Sequence, residues 1–176
     1  MLKKISAFVL IAFVFIGCSE DKKDEKVTFK EGVHAFIHNN KNIVAYGRVD
    51  MQAIMTKGKF DSNPMISAFA GTEIEKLKTE IDMKTPLYYV VEKQKDKKDP
   101  RVFFFAKLTD QEKLVKDMKG GKGFVFKETE GIAYTEDGDF VVGLHNEIAV
   151  VVVQGGDYKA ADVVKEDFKY TRGDQP

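Results

Sequence analysis

The side chains able to do covalent or metal chemistry are few: one cysteine, Cys18, and three histidines, His34, His38 and His145. His34 and His38 lie four apart. On a helix that spacing stacks two imidazoles on one face, and on a strand an even spacing does the same. No His-Glu-x-x-His frame surrounds the pair, so surface or strand-edge histidines are expected, with no metal and no cofactor. Nucleophilic catalysis needs an activated Ser or Cys beside a base, and no Gly-x-Ser-x-Gly elbow occurs. Lys119-Gly120-Gly121-Lys122-Gly123 lacks the Walker spacing and follows a helical pattern instead of opening one, so it reads as a helix end and a turn. Asp137-Gly138-Asp139 has no twelve-residue calcium pattern around it and reads as a hairpin turn. Acids are plentiful, but nothing singles out two as an acid/base pair. No catalytic residue is assigned. Arg172-Gly173-Asp174 is a tripeptide in a polar tail, of a kind that arises often by chance.

Cys18 has another use. Lys3 and Lys4 precede an apolar run, Ile5 to Ile16, interrupted only by Ser6. Twelve residues suit a signal-peptide core and fall short of the roughly 20 a membrane-spanning helix needs. Gly17 and Cys18 follow at once. Phe15-Ile16-Gly17-Cys18 resembles a bacterial lipobox, with Phe15 where Leu or Val is usual. The resemblance implies cleavage before Cys18 and a diacylglycerol on its sulfur. A lone thiol in an exported chain is otherwise a liability. Each buried methylene contributes about 0.8 kcal/mol, so one acyl chain holds marginally and more than one holds firmly. Losing residues 1–17 removes Lys3 and Lys4 and leaves 26 basic against 28 acidic residues, a net charge of −2.

Ser19 is followed by Glu20-Asp21-Lys22-Lys23-Asp24-Glu25-Lys26, which cannot bury anything and reads as a solvated tether. By resemblance to lipoprotein sorting in Gram-negative bacteria, Ser19 implies the outer membrane. The acidic-lysine cluster resembles surface-export signals of Bacteroidota lipoproteins and equally fits a periplasmic spacer. Overall, 28 basic residues balance 28 acidic ones, which removes the long-range field a nucleic-acid binder uses.

The remainder reads as one α+β domain. Val33–His38 and Ile43–Val49 are short apolar stretches around an Asn39-Asn40-Lys41-Asn42 turn, as a hairpin or a loop and strand. Asp50 caps a short helix that Gly58 closes. Ser62-Asn63-Pro64 starts a second helix. Ile66, Phe69, Ala70, Ile74, Leu77 and Ile81 form its apolar face, and Pro86 lies past its end. Leu87–Val91 and Arg101–Ala106 are strands with almost no polar residue, predicted to pair as a hairpin covered on both faces. Thr109-Asp110-Gln111-Glu112 reads as a capping box for a helix with Leu114, Val115 and Met118 inward, stopping at Gly120-Gly121. Gly123–Lys127, Ile132–Tyr134, Phe140–Leu144 and Ile148–Val153 are predicted strands of an antiparallel meander. Tyr158–Phe168 is a last helix with Ala161, Val164 and Phe168 on one side.

The order implies a ferredoxin-like split β-α-β-β-α-β core extended by that meander. The expected divisions are a signal peptide (1–17), the lipidated Cys18 with its charged tether (18–30), one α+β domain (31–168) and a flexible tail (169–176). The lipobox, the tether, a first strand Asn42–Asp50, Met55-Thr56-Lys57-Gly58, Ile81-Asp82 with Pro86, and Leu108-Thr109-Asp110 together resemble uncharacterised lipoproteins of Bacteroidota. The likeness covers about residues 31–155. Family members are several times longer, so this chain corresponds to one module, and the family carries no catalytic residues to transfer.

Two functions are compatible with these residues. One is a non-enzymatic, lipid-anchored envelope protein, in contact with the membrane through Cys18 and with a protein or polymer through its sheet or loops. The other is an envelope hydrolase built from scattered carboxylates, which requires a pocket holding two carboxylates about 5–10 Å apart.

Overall fold

Thr28 opens the first helix. Its hydroxyl oxygen accepts from the Glu31 N–H, and the Glu31 carboxylate accepts the Thr28 N–H at 2.9 Å. Helix α1 (Phe29–Asn39) then buries Phe29, Val33 and Phe36, spaced four and three apart. Val33–His38, expected as a hairpin strand or as a loop, is therefore part of a helix. The computed structural model describes residues 27–58, 78–95, 99–122, 124–138, 140–153 and 159–172. The expected signal peptide, Cys18 and most of the expected tether lie outside these, as does nearly all of the helix expected from Ser62 to Ile81.

After an Asn40 turn come β1 (Ile43–Val49) and α2 (Met51–Lys57). Asp50 Oδ1 accepts from the Ala53 N–H at 2.8 Å, and the Gly58 N–H donates to Ile54 O at 2.8 Å, so both expected ends of α2 hold. Residues 78–80 are helical and lead into a bridge between Ile81 and Leu108. Next come β2 (Leu87–Glu92), β3 (Arg101–Lys107) and α3 (Gln111–Lys122). The cap of α3 is Asp110, whose Oδ1 accepts from the Lys113 N–H at 2.9 Å, while the Thr109 N–H goes to Glu80 O. The helix continues through Gly120 and Gly121 instead of stopping there.

The meander follows as β4 (Lys127–Thr129), β5 (Ile132–Asp137), β6 (Phe140–His145) and β7 (Ile148–Val153). Its first strand starts later than the expected Gly123. Glu130 (φ 50°) and Gly131 (φ 77°) make the two-residue turn between β4 and β5, the left-handed geometry that matches strand twist. Helix α4 (Ala160–Asp167) and a 3-10 turn (Lys169–Arg172) close the described chain.

The seven strands form one sheet in the order β1-β2-β3-β7-β6-β5-β4, with every pairing antiparallel. The α+β class and the meander are as expected. So is the β2–β3 hairpin, with Tyr88 opposite Phe105 and Val91 opposite Val102. The split core is not the arrangement seen. That core puts the third strand between the first and the second and the first strand inside the sheet, whereas β1 sits at the border paired directly with β2, and β7 takes the place next to β3.

The main core lies on one face. Phe36 packs on Phe103 and Phe105, with ring centroids 4.7 and 5.1 Å apart, and α4 adds Val163 and Val164. Phe168 lies so close to β6 that a Cβ on Gly143 would fall 1.7 Å from its ring. In α4 the inward residues are Ala160, Val163 and Val164; Ala161 is exposed. Tyr170, expected in a frayed tail, is buried edge-on against Phe36. On the other face α3 brings Leu114, Val115 and Met118 to Val142, Leu144 and Ala149. That cover does not reach all of β3: Phe104 is 42% exposed, so the expectation that both faces are covered fails there.

Candidate functional site

The β6–β7 turn sets the position of Glu147. Asn146 takes φ 53°, a left-handed value that Asn tolerates. The turn hands Glu147 O to the Leu108 N–H at 2.7 Å. Its side chain meanwhile reaches α1, where Oε1 accepts from the Phe29 N–H at 2.6 Å. Lys107 Nζ lies 3.6 Å from Oε2 and 4.0 Å from Asp82. Thr85 donates to Asp82 and, with lesser help from Lys107, holds its carboxyl below the usual range. Thr28, Thr109, Gln111 and Asn146 complete the polar rim of an open hollow of about 260 Å³ beside Glu147, with Val27 and Leu108 as its apolar wall. Among the described residues Glu147 is the only carboxylate lining it, and that carboxylate already serves the helix N-terminus and Lys107. The hollow offers neutral hydrogen-bonding groups to a small polar moiety.

The second polar cluster is buried. Arg101, on β3, donates through Nε to Glu92 Oε2 at 2.7 Å and through both terminal nitrogens to Asp167, at 2.7 and 3.2 Å. Asn40 Nδ2 donates to the other Glu92 oxygen at 3.2 Å. Burial pushes the Asp167 carboxyl up to about 6, against the opposing pull of Arg101. Burial also works against the Arg101 charge, but Asp167 and Glu92 outweigh it and hold its pKa above the ordinary value. With its acceptors engaged, the cluster ties β2, β3 and α4 together.

His34 and His38 stand on the exposed side of α1, on one helical face. His145 lies elsewhere, with Nδ1 3.0 Å from Gly131 O across the β5–β6 pair. Among the described residues no three His, Cys, Asp or Glu side chains are grouped to hold a metal ion. Asp137 ends β5 opposite Phe140, and Gly138, at φ 55°, enters the expected hairpin turn; Asp139 lies outside the described residues, as do Gly173 and Asp174. Lys119 rests over the Phe126 ring, 5.9 Å from its centroid.

Sequence reading missed both polar clusters. Glu92, Arg101 and Asp167 look like ordinary charges in sequence, and Arg101 and Asp167, 66 positions apart, share no pattern linking them. The Glu147 contact had one readable half, since Thr28-x-x-Glu31 is a helix-start signature that places the Phe29 N–H in a first turn.

No protein-family model matches this chain, and neither a curated protein nor a solved structure does.

Proposed function

We propose that this chain is a lipid-anchored cell-envelope protein whose folded domain serves as a binding or interaction module rather than an enzyme. The observation that carries the reading is the Phe15-Ile16-Gly17-Cys18 sequence at the end of a twelve-residue apolar run. One further feature supports it: Glu20 to Lys26 gives the anchor a solvated spacer ahead of the first described helix, which begins at Phe29. Among the described residues no helix is long and apolar enough to cross a membrane. By its resemblance to Bacteroidota lipoproteins and by Ser19, the anchor sits in the outer membrane. Among the described residues the hollow at Glu147 brings one carboxylate to its wall, which supports the binding reading over the hydrolase one.

The test is Cys18→Ala in the full chain, in cells fed a clickable fatty acid. The expected result is loss of the label and release from the membrane fraction. A variant that still sediments with the membranes, or a wild type that takes up no label, overturns the lipid anchor.

A further inference from the structure

The two borders of the sheet are unlike. β4 is three residues long and carries Lys127 and Glu128, with Lys127 tied to Glu136 at 2.7 Å. Short charged borders resist strand addition. β1 is seven residues long, with Arg48 as its one charge and no proline. Val44 is 61% and Tyr46 62% exposed. Among the described residues its outer side meets no other strand.

We propose that β1 pairs antiparallel with β1 of a second copy of this chain, about a two-fold axis at Gly47, joining the two sheets border to border. The register follows from the strand itself. An irregularity between Ile43 and Ala45 leaves Ala45–Val49 as the regular part, and Gly47 is its midpoint. About that midpoint Ala45 faces Val49, and Tyr46 faces Arg48 of the other copy, twice. Arg48 has no hydrogen bond or ion pair among the described residues, and a guanidinium on a phenol face is a favourable cross-strand pair. The two arginines are set diagonally, with a ring opposite each. On the other face the bare Gly47 is covered by Tyr89, whose Oη lies 2.7 Å from where a Cβ would stand. The axis brings those two tyrosines side by side. A strand of another protein would satisfy the backbone equally well, but the Tyr46–Arg48 match is self-complementary. With the other border guarded, pairing closes on itself as a dimer instead of running on as a fibre. The proposal stands apart from the lipid anchor.

The test is sedimentation of the full chain in density-matched detergent across a concentration series. So short a seam sits at the small end of specific interfaces, so a monomer–dimer equilibrium at micromolar concentration is expected. Tyr46→Lys, which sets two cations face to face, should weaken it at least about tenfold, a 1.4 kcal/mol change. Adding Arg48→Glu to Tyr46→Lys places opposite charges in that register and should restore the dimer. Circular dichroism checks that the variants fold. Ala45→Cys with Val49→Cys should also give an oxidised dimer on a non-reducing gel, where the parent chain with Cys18 alone gives none. A wild type that stays monomeric to about 100 μM, well above typical weak interfaces, overturns the proposal and assigns the border to a cover within the chain or to another protein. A dimer indifferent to Tyr46→Lys, or not restored by the second change, overturns it as well.

Discussion

Phe103 and Phe104 are chain neighbours on opposite faces of β3. Phe103 is fully buried against Phe36, while Phe104 is 42% exposed. Removing a buried Phe costs about 3–5 kcal/mol, and an exposed one far less. Urea unfolding should therefore show Phe103→Ala as severe and Phe104→Ala as a loss of about 1 kcal/mol or less. The sequence could not tell the two apart, because a run of Val, three Phe and Ala has no polar residue to give the alternation a phase. Asp167 carries the second residue-scale prediction. Its carboxyl is raised from the usual 3.8 to about 6. The folded chain therefore holds a proton there that the unfolded chain releases. This contribution to stability is complete below about pH 4 and is lost as pH rises through about 6. Glu31 and Asp82 are shifted the opposite way. The readable quantity is thus the stability of wild type minus that of Asp167→Asn. It should fall from pH 4 to 6 and level off above; a difference that rises over that range would contradict the assignment.

At the scale of elements, the cap of α3 supplies a measurable step. Asp110 holds the Lys113 N–H, so Asp110→Ala should cost about 1 kcal/mol in a thermal or urea melt. Thr109→Ala should cost less, because the Thr109 contact with Glu80 is made by its backbone. Element types were largely readable from patterns such as Asp50 to Gly58, Leu87 to Val91 and Ile148 to Val153. Val33–His38 alone is too short to show the helical period of α1; Thr28-x-x-Glu31 marks the true start, which adds Phe29 and completes the spacing of Phe29, Val33 and Phe36. Strand order was not readable. It depends on which unpaired border β7 meets, and β-branched residues such as Val150 and Val152 are at home beside any apolar neighbour.

Across the whole molecule, one buried cluster runs from Phe29 and Val90 through Phe103 and Val152 to Ile132, Tyr134 and Val164. Such continuity should make the two ends of the sheet open together. Native-state hydrogen exchange is expected to give the slowest amides of β2 and of β5 the same opening free energy, and a core change such as Val152→Ala should lower both equally. Separate energies for the two strands would show that the sheet is two independent units.

The place of β7 also sets an order in time. The last described strand lies in the middle of the sheet, beside β3. A chain emerging from its N-terminus can build β1, β2 and β3 early, then must leave the Val102–Phe105 edge open while residues 108–147 appear. Closing a loop of that length costs about 3 kcal/mol of chain entropy. The β5–β6–β7 meander can form from local turns, so its arrival as a preassembled plug is the slow event, on the millisecond-to-second scale of sheet proteins with distant pairings. Until then an apolar strand edge waits for any extended neighbour, which makes a nascent or truncated chain ending before Ile148 the form most prone to aggregate.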